Sequence, residues 1–360
     1  MSRAVYLAGS GLLCARGDSP GRVAAALWDG ECGNGTARLG ERQFPYFSLP
    51  LAATDWLSRA ATAVGQVATQ LAPSAPSTPL FIASSSFQIG HFEQLGAPFA
   101  MPQAAASFST TLADWLQLDG PRYSFSNACI SGFSALDAAR SLIAGGQIDE
   151  AIVLGIELAN RSTLAGFAAM ELLAPTACRP FDVRRDGLVL GEAVAAVRLS
   201  ATPQRWRISG LRTGIDAWST TGPDPAGGPI AAVIRDCLNE ADLQPGDIEL
   251  IKLQAAGSPG SDLAEANALR QVFGNRMPPL LSLKPMLGHT LGASGIVELA
   301  ALLGCLDADK IPATAGFTKV DPEIALFPLV DRSTAHIERA LLNLVGFGGG
   351  LATMIIERQR

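Results

Sequence analysis

The chain has 360 residues, of which 48% are hydrophobic, 17% charged and only 6% aromatic. At roughly 100–200 residues per domain it holds two or three domain-sized units or one large duplicated fold, and its apolar fraction excludes a disordered chain. A net charge of −6 argues against a general binder of nucleic acid or anionic membranes, and no apolar run reaches the roughly 18 residues of a membrane helix.

In chain order, the start reads as a buried strand over Ala4–Ala8 followed by a turn, not as a leader, so a cytoplasmic protein is expected. Strand-length apolar runs recur at Leu80–Ala83, Ala151–Leu154, Ala193–Leu199, Ile248–Leu253 and Leu351–Ile356. Helical periodicity falls between them at Gly21–Trp28, Asp55–Leu71, Ser131–Ala144, Pro229–Ala241, Asp262–Phe273 and Gly292–Leu306. Buried strands alternating with helices predict an α/β protein with largely parallel sheets.

An internal echo divides the chain. Pro121-Arg-Tyr-Ser124 and Pro279-Leu-Leu-Ser282 each lead through a turn to a helix, 158 residues apart. The same offset lays Gly191-Glu-Ala-Val-Ala-Ala-Val on Gly349-Gly-Leu-Ala-Thr-Met-Ile. Two matches at one offset point to two similarly folded halves, 1–202 and 203–360, joined near Ser200–Arg207. Each half has a central strand–turn–helix unit, and the two turns can converge on one site.

The six cysteines are scattered and contain no CxxC pair, which fits neither a zinc site nor a disulfide scaffold. Cys129 lies in Ser126-Asn-Ala-Cys-Ile-Ser-Gly132, where a strand ends and a helix begins. A helix N-terminus favours a thiolate, although a packed thiol at a tight turn gives the same pattern. His289 lies at the matching turn of the second half, with Lys284 before it and Glu298 in the next helix. A Lys–Glu pair beneath the turn can fix an imidazole and its tautomer. The alternative is a solvated lysine, a helix-start histidine and a surface glutamate.

These blocks together resemble the β-ketoacyl-acyl-carrier-protein synthases, condensing enzymes of the thiolase fold. Besides the Cys129 block, Arg179-Pro-Phe-Asp182 through Gly191-Glu192 is similar to the family loop that returns to the sheet. Lys284 to Glu298 is similar to the Lys-x-x-x-Gly-His block, and Asn343 to Gly349 to the terminal Gly-Phe-Gly-Gly block. The resemblance implies two similar halves packed as a five-layered αβαβα sandwich. It implies that Cys129 takes an acyl chain from a pantetheine thioester, and that a malonyl unit then loses carbon dioxide and attacks it. In that scheme the backbone N–H groups of Cys129 and Phe347 form the oxyanion hole, and Phe347 gates the acyl pocket. His289 polarises the malonyl carbonyl, and Lys284 and Glu298 hold it.

One block departs from the family. Where the family has His-Gly-Thr-Ser-Thr-Pro, this chain reads Gln254-Ala-Ala-Gly-Ser258-Pro259, followed by Asp262 and Glu265. Gln254 stands where the first catalytic histidine belongs, and Ala256 replaces a pantetheine-contacting threonine, while Ser258 keeps the second hydroxyl. Glutamine can donate an N–H but cannot act as a general acid or base. His91 and His336 match no catalytic block. The chain is also compressed at Ser84–Ser107 and between the halves.

The expectation is therefore a family member acting in carrier-bound acyl elongation as a partner subunit, like the chain-length factors that shape a complete synthase's tunnel. A self-sufficient condensing enzyme using Cys129, Gln254 and His289 is the alternative, and an unrelated cysteine hydrolase is a third reading. The implied partners are an acyl carrier protein and a second ketosynthase subunit. The only prosthetic group implied is the carrier's phosphopantetheine arm, and no metal is expected. Arg184, Arg185 and Arg161 are the candidates for docking an acidic carrier.

Overall fold

The computed structural model describes residues 3–98 and 101–359. Its central feature is a strand pattern that occurs twice. The five strands of its first occurrence are β1 (Tyr6–Cys14), β2 (Leu80–Ala83), β3 (Arg122–Phe125), β4 (Glu150–Glu157) and β5 (Ala193–Ser200). They lie in the order β3-β2-β4-β5-β1. Those of the second are β6 (Trp206–Ile215), β7 (Leu250–Lys252), β8 (Leu280–Leu281), β9 (Arg339–Val345) and β10 (Gly350–Arg358). Their order, β8-β7-β9-β10-β6, repeats the first with every number raised by five. The two sheets touch where β1 pairs with β6 at Tyr6–Arg207 and Leu7–Trp206.

The echo seen in the sequence is a register in space. The carbonyl of Pro121 accepts the N–H of Leu80 at 2.9 Å, and that of Pro279 accepts the N–H of Ile251 at 2.9 Å. The expectation of largely parallel sheets needs correction. Only β2 with its two neighbours, and β7 with its two, are parallel. The β4–β5, β5–β1, β9–β10 and β10–β6 pairs are antiparallel. The reason is visible between β9 and β10: Gly346 to Gly349 is too short a connection for a parallel crossover, so the chain must fold straight back.

The helices are α1 (Pro20–Trp28), α2 (Trp56–Ala68), α3 (Ile89–Leu95), α4 (Met101–Trp115), α5 (Ser131–Ala144), α6 (Arg161–Ala169), α7 (Gly228–Glu240), α8 (Pro259–Phe273) and α9 (Ser294–Asp307). Several begin where the sequence supplies a cap. The Asp55 carboxylate accepts the N–H of Ser58, and the Asn160 amide oxygen that of Thr163, both at 2.7 Å. Residues Ala60, Val64, Phe108 and Leu112 of α2 and α4 cover the outer face of the first sheet at Ile82 and Leu154. Residues Ile230, Ile234, Ala264 and Leu269 of α7 and α8 cover the second at Ile251 and Ile355.

Between the sheets lie α5 and α9, which completes a five-layered αβαβα sandwich. Helix α9 is apolar nearly all round, as a helix buried on every side must be. The two central helices cross at their N-termini through Gly132 and Gly295. A side-chain carbon on Gly295 would sit 2.7 Å from the Phe133 ring, and one on Gly132 would sit 3.2 Å from the Gly295 Cα. This contact between equivalent glycines brings the two helix starts, and the residues just before them, to one place. Among the described residues, no helix is long and apolar enough to cross a membrane.

Candidate active site

Cys129 sits in a short 3-10 turn, Ala128–Ile130, that runs into α5. Ala128 holds φ +44°, a left-handed conformation that costs a non-glycine residue on the order of 1–3 kcal/mol. The turn is fastened by Ser131, whose hydroxyl accepts the N–H of Asn127 at 2.8 Å and donates to the Ala128 carbonyl at 2.7 Å. The equivalent residue in the second half is Leu291, at φ +48°, again followed by a serine, Ser294, at the start of α9. Both halves use one strained residue and one serine to aim the preceding turn into the space between them.

The thiol of Cys129 is buried, and burial pushes it up to about 11. The N–H groups of Phe347 and of Cys129 itself, with the positive charge of Lys284, oppose that rise without cancelling it. The helix start favours a thiolate, but loss of hydration outweighs the oriented dipoles. What the structure does provide is two backbone N–H groups directed at the sulfur.

His289 is buried and held from both sides. Its backbone joins the Leu188–Gly191 segment, with its N–H donating to Val189 at 2.7 Å. Its ring Nδ1 accepts the N–H of Leu291 at 3.0 Å and lies 3.1 Å from the Ser294 hydroxyl. A nitrogen that accepts a backbone N–H cannot itself be protonated, so the ring proton is on Nε2. Burial, then the charge of Lys284, holds the imidazole down to about 3, against the opposing pull of Glu298. The side chain is a neutral N–H donor.

Lys284 and Glu298 do form the expected pair, and both are buried rather than solvated. Among the described residues, however, neither hydrogen-bonds the imidazole; Leu291 and Ser294 set its tautomer instead. The sequence reading also missed a third member. Lys252, on β7 and fully buried, donates to the other oxygen of Glu298 and to the Asn343 carbonyl at 3.1 Å. A lysine inside the apolar run Ile248–Leu253, in a chain with only four lysines, was the available signal.

Gln254 follows Lys252 by two residues, in the loop just past the end of β7. Asp262 and Glu265 on α8 hold its loop by backbone contacts. Glu265 accepts the N–H groups of Gln254 and Ala255 at 2.7 Å each and the Asn343 side-chain amide at 2.7 Å. Asp262 accepts those of Ala256, Gly257 and Phe181 at 3.0–3.2 Å. The Gln254 side-chain oxygen is buried without a partner among the described residues.

Cys129, Gln254 and His289 line one cavity of about 30 Å³, with Phe347 and Phe167 also in its wall. These two rings stack 5.5 Å apart and 15° from parallel. Phe167 on α6 was not singled out in the sequence, because that helix carries few apolar residues at helical spacing. Ser258 lines the same cavity, beside Ser261. Farther out, Arg185 is corrected as a docking candidate: it is 6% exposed and paired with Asp321. Arg184 is 59% exposed, and Arg161 is exposed at the start of α6.

Comparison with known proteins now adds to this geometry. Residues 61–204 match the family described as beta-ketoacyl synthase, N-terminal domain, and residues 207–318 match beta-ketoacyl synthase, C-terminal domain. The 3-oxoacyl-[acyl-carrier-protein] synthase 2 of Synechocystis sp. is 32% identical over 281 residues, covering 73% of this chain and 68% of the relative. The Mycobacterium bovis protein of the same name is 33% identical over 240 residues, covering 62% of this chain but only 58% of its own length. A chain from the complex of the ketosynthase ApeO with its chain length factor ApeC, from Xenorhabdus doucetiae, superimposes with a TM-score of 0.87 at 25% identity, over 99% of this chain and 98% of that one. The chain belongs to the beta-ketoacyl synthase family, and the hydrolase reading falls away.

Proposed function

We propose that this protein works in carrier-bound acyl-chain elongation, of the fatty-acid, polyene or polyketide kind, as the partner subunit of a complete ketosynthase. The observation that carries the reading is the shared cavity: Cys129, His289 and Phe347 keep their places, while a neutral amide, Gln254, fills the third. The division into halves at 202/203 fits the doubled strand order and the two family matches, which meet between residues 204 and 207.

In this account the substrate arrives on the phosphopantetheine arm of an acyl carrier protein in the cytoplasm. The Cys129 sulfur attacks the thioester carbonyl, and the pantetheine thiol leaves. The N–H groups of Cys129 and Phe347 stabilise the oxyanion, and separation of Phe347 from Phe167 opens the path. Ser258 contacts the pantetheine arm, and Arg184 and Arg161 offer local positive charge in a chain whose net charge is −6. His289 Nε2–H donates to the malonyl thioester oxygen as carbon dioxide departs, with Lys284 and Glu298 supporting it from beneath. Gln254 is the second donor, and an uncharged amide is the weaker choice.

The partner role has its own support. Among the described residues, strand β3 ends its sheet with one edge unpaired, and its residues Arg122 to Ser124 are exposed. Such an edge invites another strand. The test is light scattering of the protein alone and mixed with a ketosynthase encoded beside it. A 1:1 complex with chain-elongating activity that the single protein lacks is expected; a stable, fully active homodimer would defeat the partner role.

The self-sufficient alternative draws on one observation: His289 is fixed as an N–H donor and Gln254 can present its amide N–H, so two donors remain. It then requires that the protein condense unaided.

A further inference from the structure

Lys252 has no role in the chemistry above, yet it is an ammonium group held inside the floor of the site. It is fully buried, and four groups face it from four elements: Glu298 on α9, Lys284 in the turn after β8, Glu265 on α8 and the Asn343 carbonyl on β9. Burial pushes the Glu265 carboxyl up, and the three N–H donors it accepts oppose that push in favour of the ionised form. Glu298 accepts from two ammonium groups and is ionised.

The floor of the site thus holds two carboxylates and two ammonium groups, linked as Glu265–Asn343–Lys252–Glu298–Lys284. With Lys252 the set is balanced. Without it, Lys284 alone would face two buried negative charges. An uncompensated buried anion is costly, and it would act on its neighbours above: it would disfavour a thiolate at Cys129 and favour protonation of His289.

We propose that Lys252 is a positioning residue: its charge balances the Glu298–Glu265 floor and ties the Gln254 loop electrostatically to the His289 side of the site. It touches no substrate atom and acts through Glu298 and Asn343. The inference rests on the reading that Cys129 and His289 are the reacting pair. Its test uses alkylation of Cys129, which needs no condensation, so it succeeds or fails separately from the proposed activity.

The experiment is the rate of Cys129 alkylation by iodoacetamide, followed by peptide mapping from pH 7 to 10, in the natural protein and in K252M. Burial of Lys252 lowers its ammonium to about 8, with Glu298 pulling the other way. In the natural protein the plot of log rate against pH is therefore expected to bend near pH 8, as the floor loses its balancing charge. In K252M the bend should vanish, and the rate at pH 7 should fall by about tenfold, equivalent to a one-unit rise in the thiol. Coincident profiles would overturn the proposal.

Should K252M not fold, lysine-selective carbon NMR of the natural protein decides instead. The chain has four lysines, and Lys310→Arg with Lys319→Arg leaves two signals to assign. Lys252 is expected to be charged at pH 7 and to titrate together with the bend in the alkylation profile. A Lys252 that is neutral at pH 7, or that titrates apart from the bend, would overturn the proposal.

Discussion

The ring Nδ1 of His289 accepts the backbone N–H of Leu291 at 3.0 Å, and Leu291 is the left-handed residue of the turn that leads into the second central helix. One strained residue therefore fixes both the direction of the chain and the tautomer of the histidine. The same turn is tied to the first half, where Glu157 accepts the N–H of Gly292 at 3.1 Å and that of Ser85 at 2.9 Å.

His289 should therefore stay in the neutral Nε2–H form from pH 8 to pH 5, as nitrogen NMR can show directly. The linkage follows in sign. Its folded value, about 3, lies below the ordinary imidazole value of 6.5, so the unfolded chain binds the extra proton first as pH falls. Relative to His289→Asn, the natural protein should lose stability below pH 6.5, by up to about 1.4 kcal/mol per pH unit until about pH 3. Urea midpoints at pH 7.5 and 5.0 measure this. A difference between the two proteins that does not change with pH contradicts it.

Thiol labelling should separate exposure from site chemistry. Cys32 is exposed, whereas burial pushes Cys14 up to about 11 and Cys237 and Cys305 up to about 12. A small alkylating agent at pH 7.5 should therefore modify Cys32 first. An acyl-pantetheine thioester should acylate Cys129 instead, because only that sulfur among the two has paired backbone N–H donors beside it. Intact mass and peptide mapping read the outcome; acylation of Cys32 alone would remove Cys129 as the nucleophile.

Gly295→Ala should loosen the centre of the molecule. The added carbon meets the Phe133 ring and Leu344, which are packed in the layer between the sheets. Forcing an extra carbon into a packed core typically costs about 1–3 kcal/mol. A matching fall in the urea midpoint is expected, with reduced acylation of Cys129 because the helix crossing aims its turn. An unchanged midpoint would mean that the crossing is not tight.

Much of this was legible in the residues. Asp262 and Glu265 keep their register in the altered Gln254 block because they accept the backbone N–H groups of that loop, whatever its side chains are. The 158-residue echo marks the start of β3 and β8 at Arg122 and Leu280, and to within one residue that of β5 and β10 at Ala193 and Gly350, but not the other strand pairs. It fails at the central helices, where Ser131 and Ser294 lie 163 residues apart, because the second half inserts the Lys284–Leu287 turn. Strand β6 escaped notice because glycine and arginine interrupt its apolar pattern, and β9 because it was read as part of a motif. Lys252 and Asn343 were silent for a physical reason: their partners come from distant segments, and a charge balance has no local sequence pattern.

Gln254 remains the residue on which the central claim turns. The measurement is malonyl-carrier decarboxylation by the isolated natural protein and by Gln254→His, with acylation of Cys129 followed in parallel. Acylation uses the thiol and the two backbone N–H groups, so it should be present in both. Loss of one transition-state donor commonly costs about 10²–10³ in rate, so the natural protein should decarboxylate poorly and Gln254→His should gain, up to on the order of 10²-fold. If instead the natural protein condenses at ordinary rates unaided and Gln254→His slows it, the amide is a working donor and the partner-subunit account is wrong.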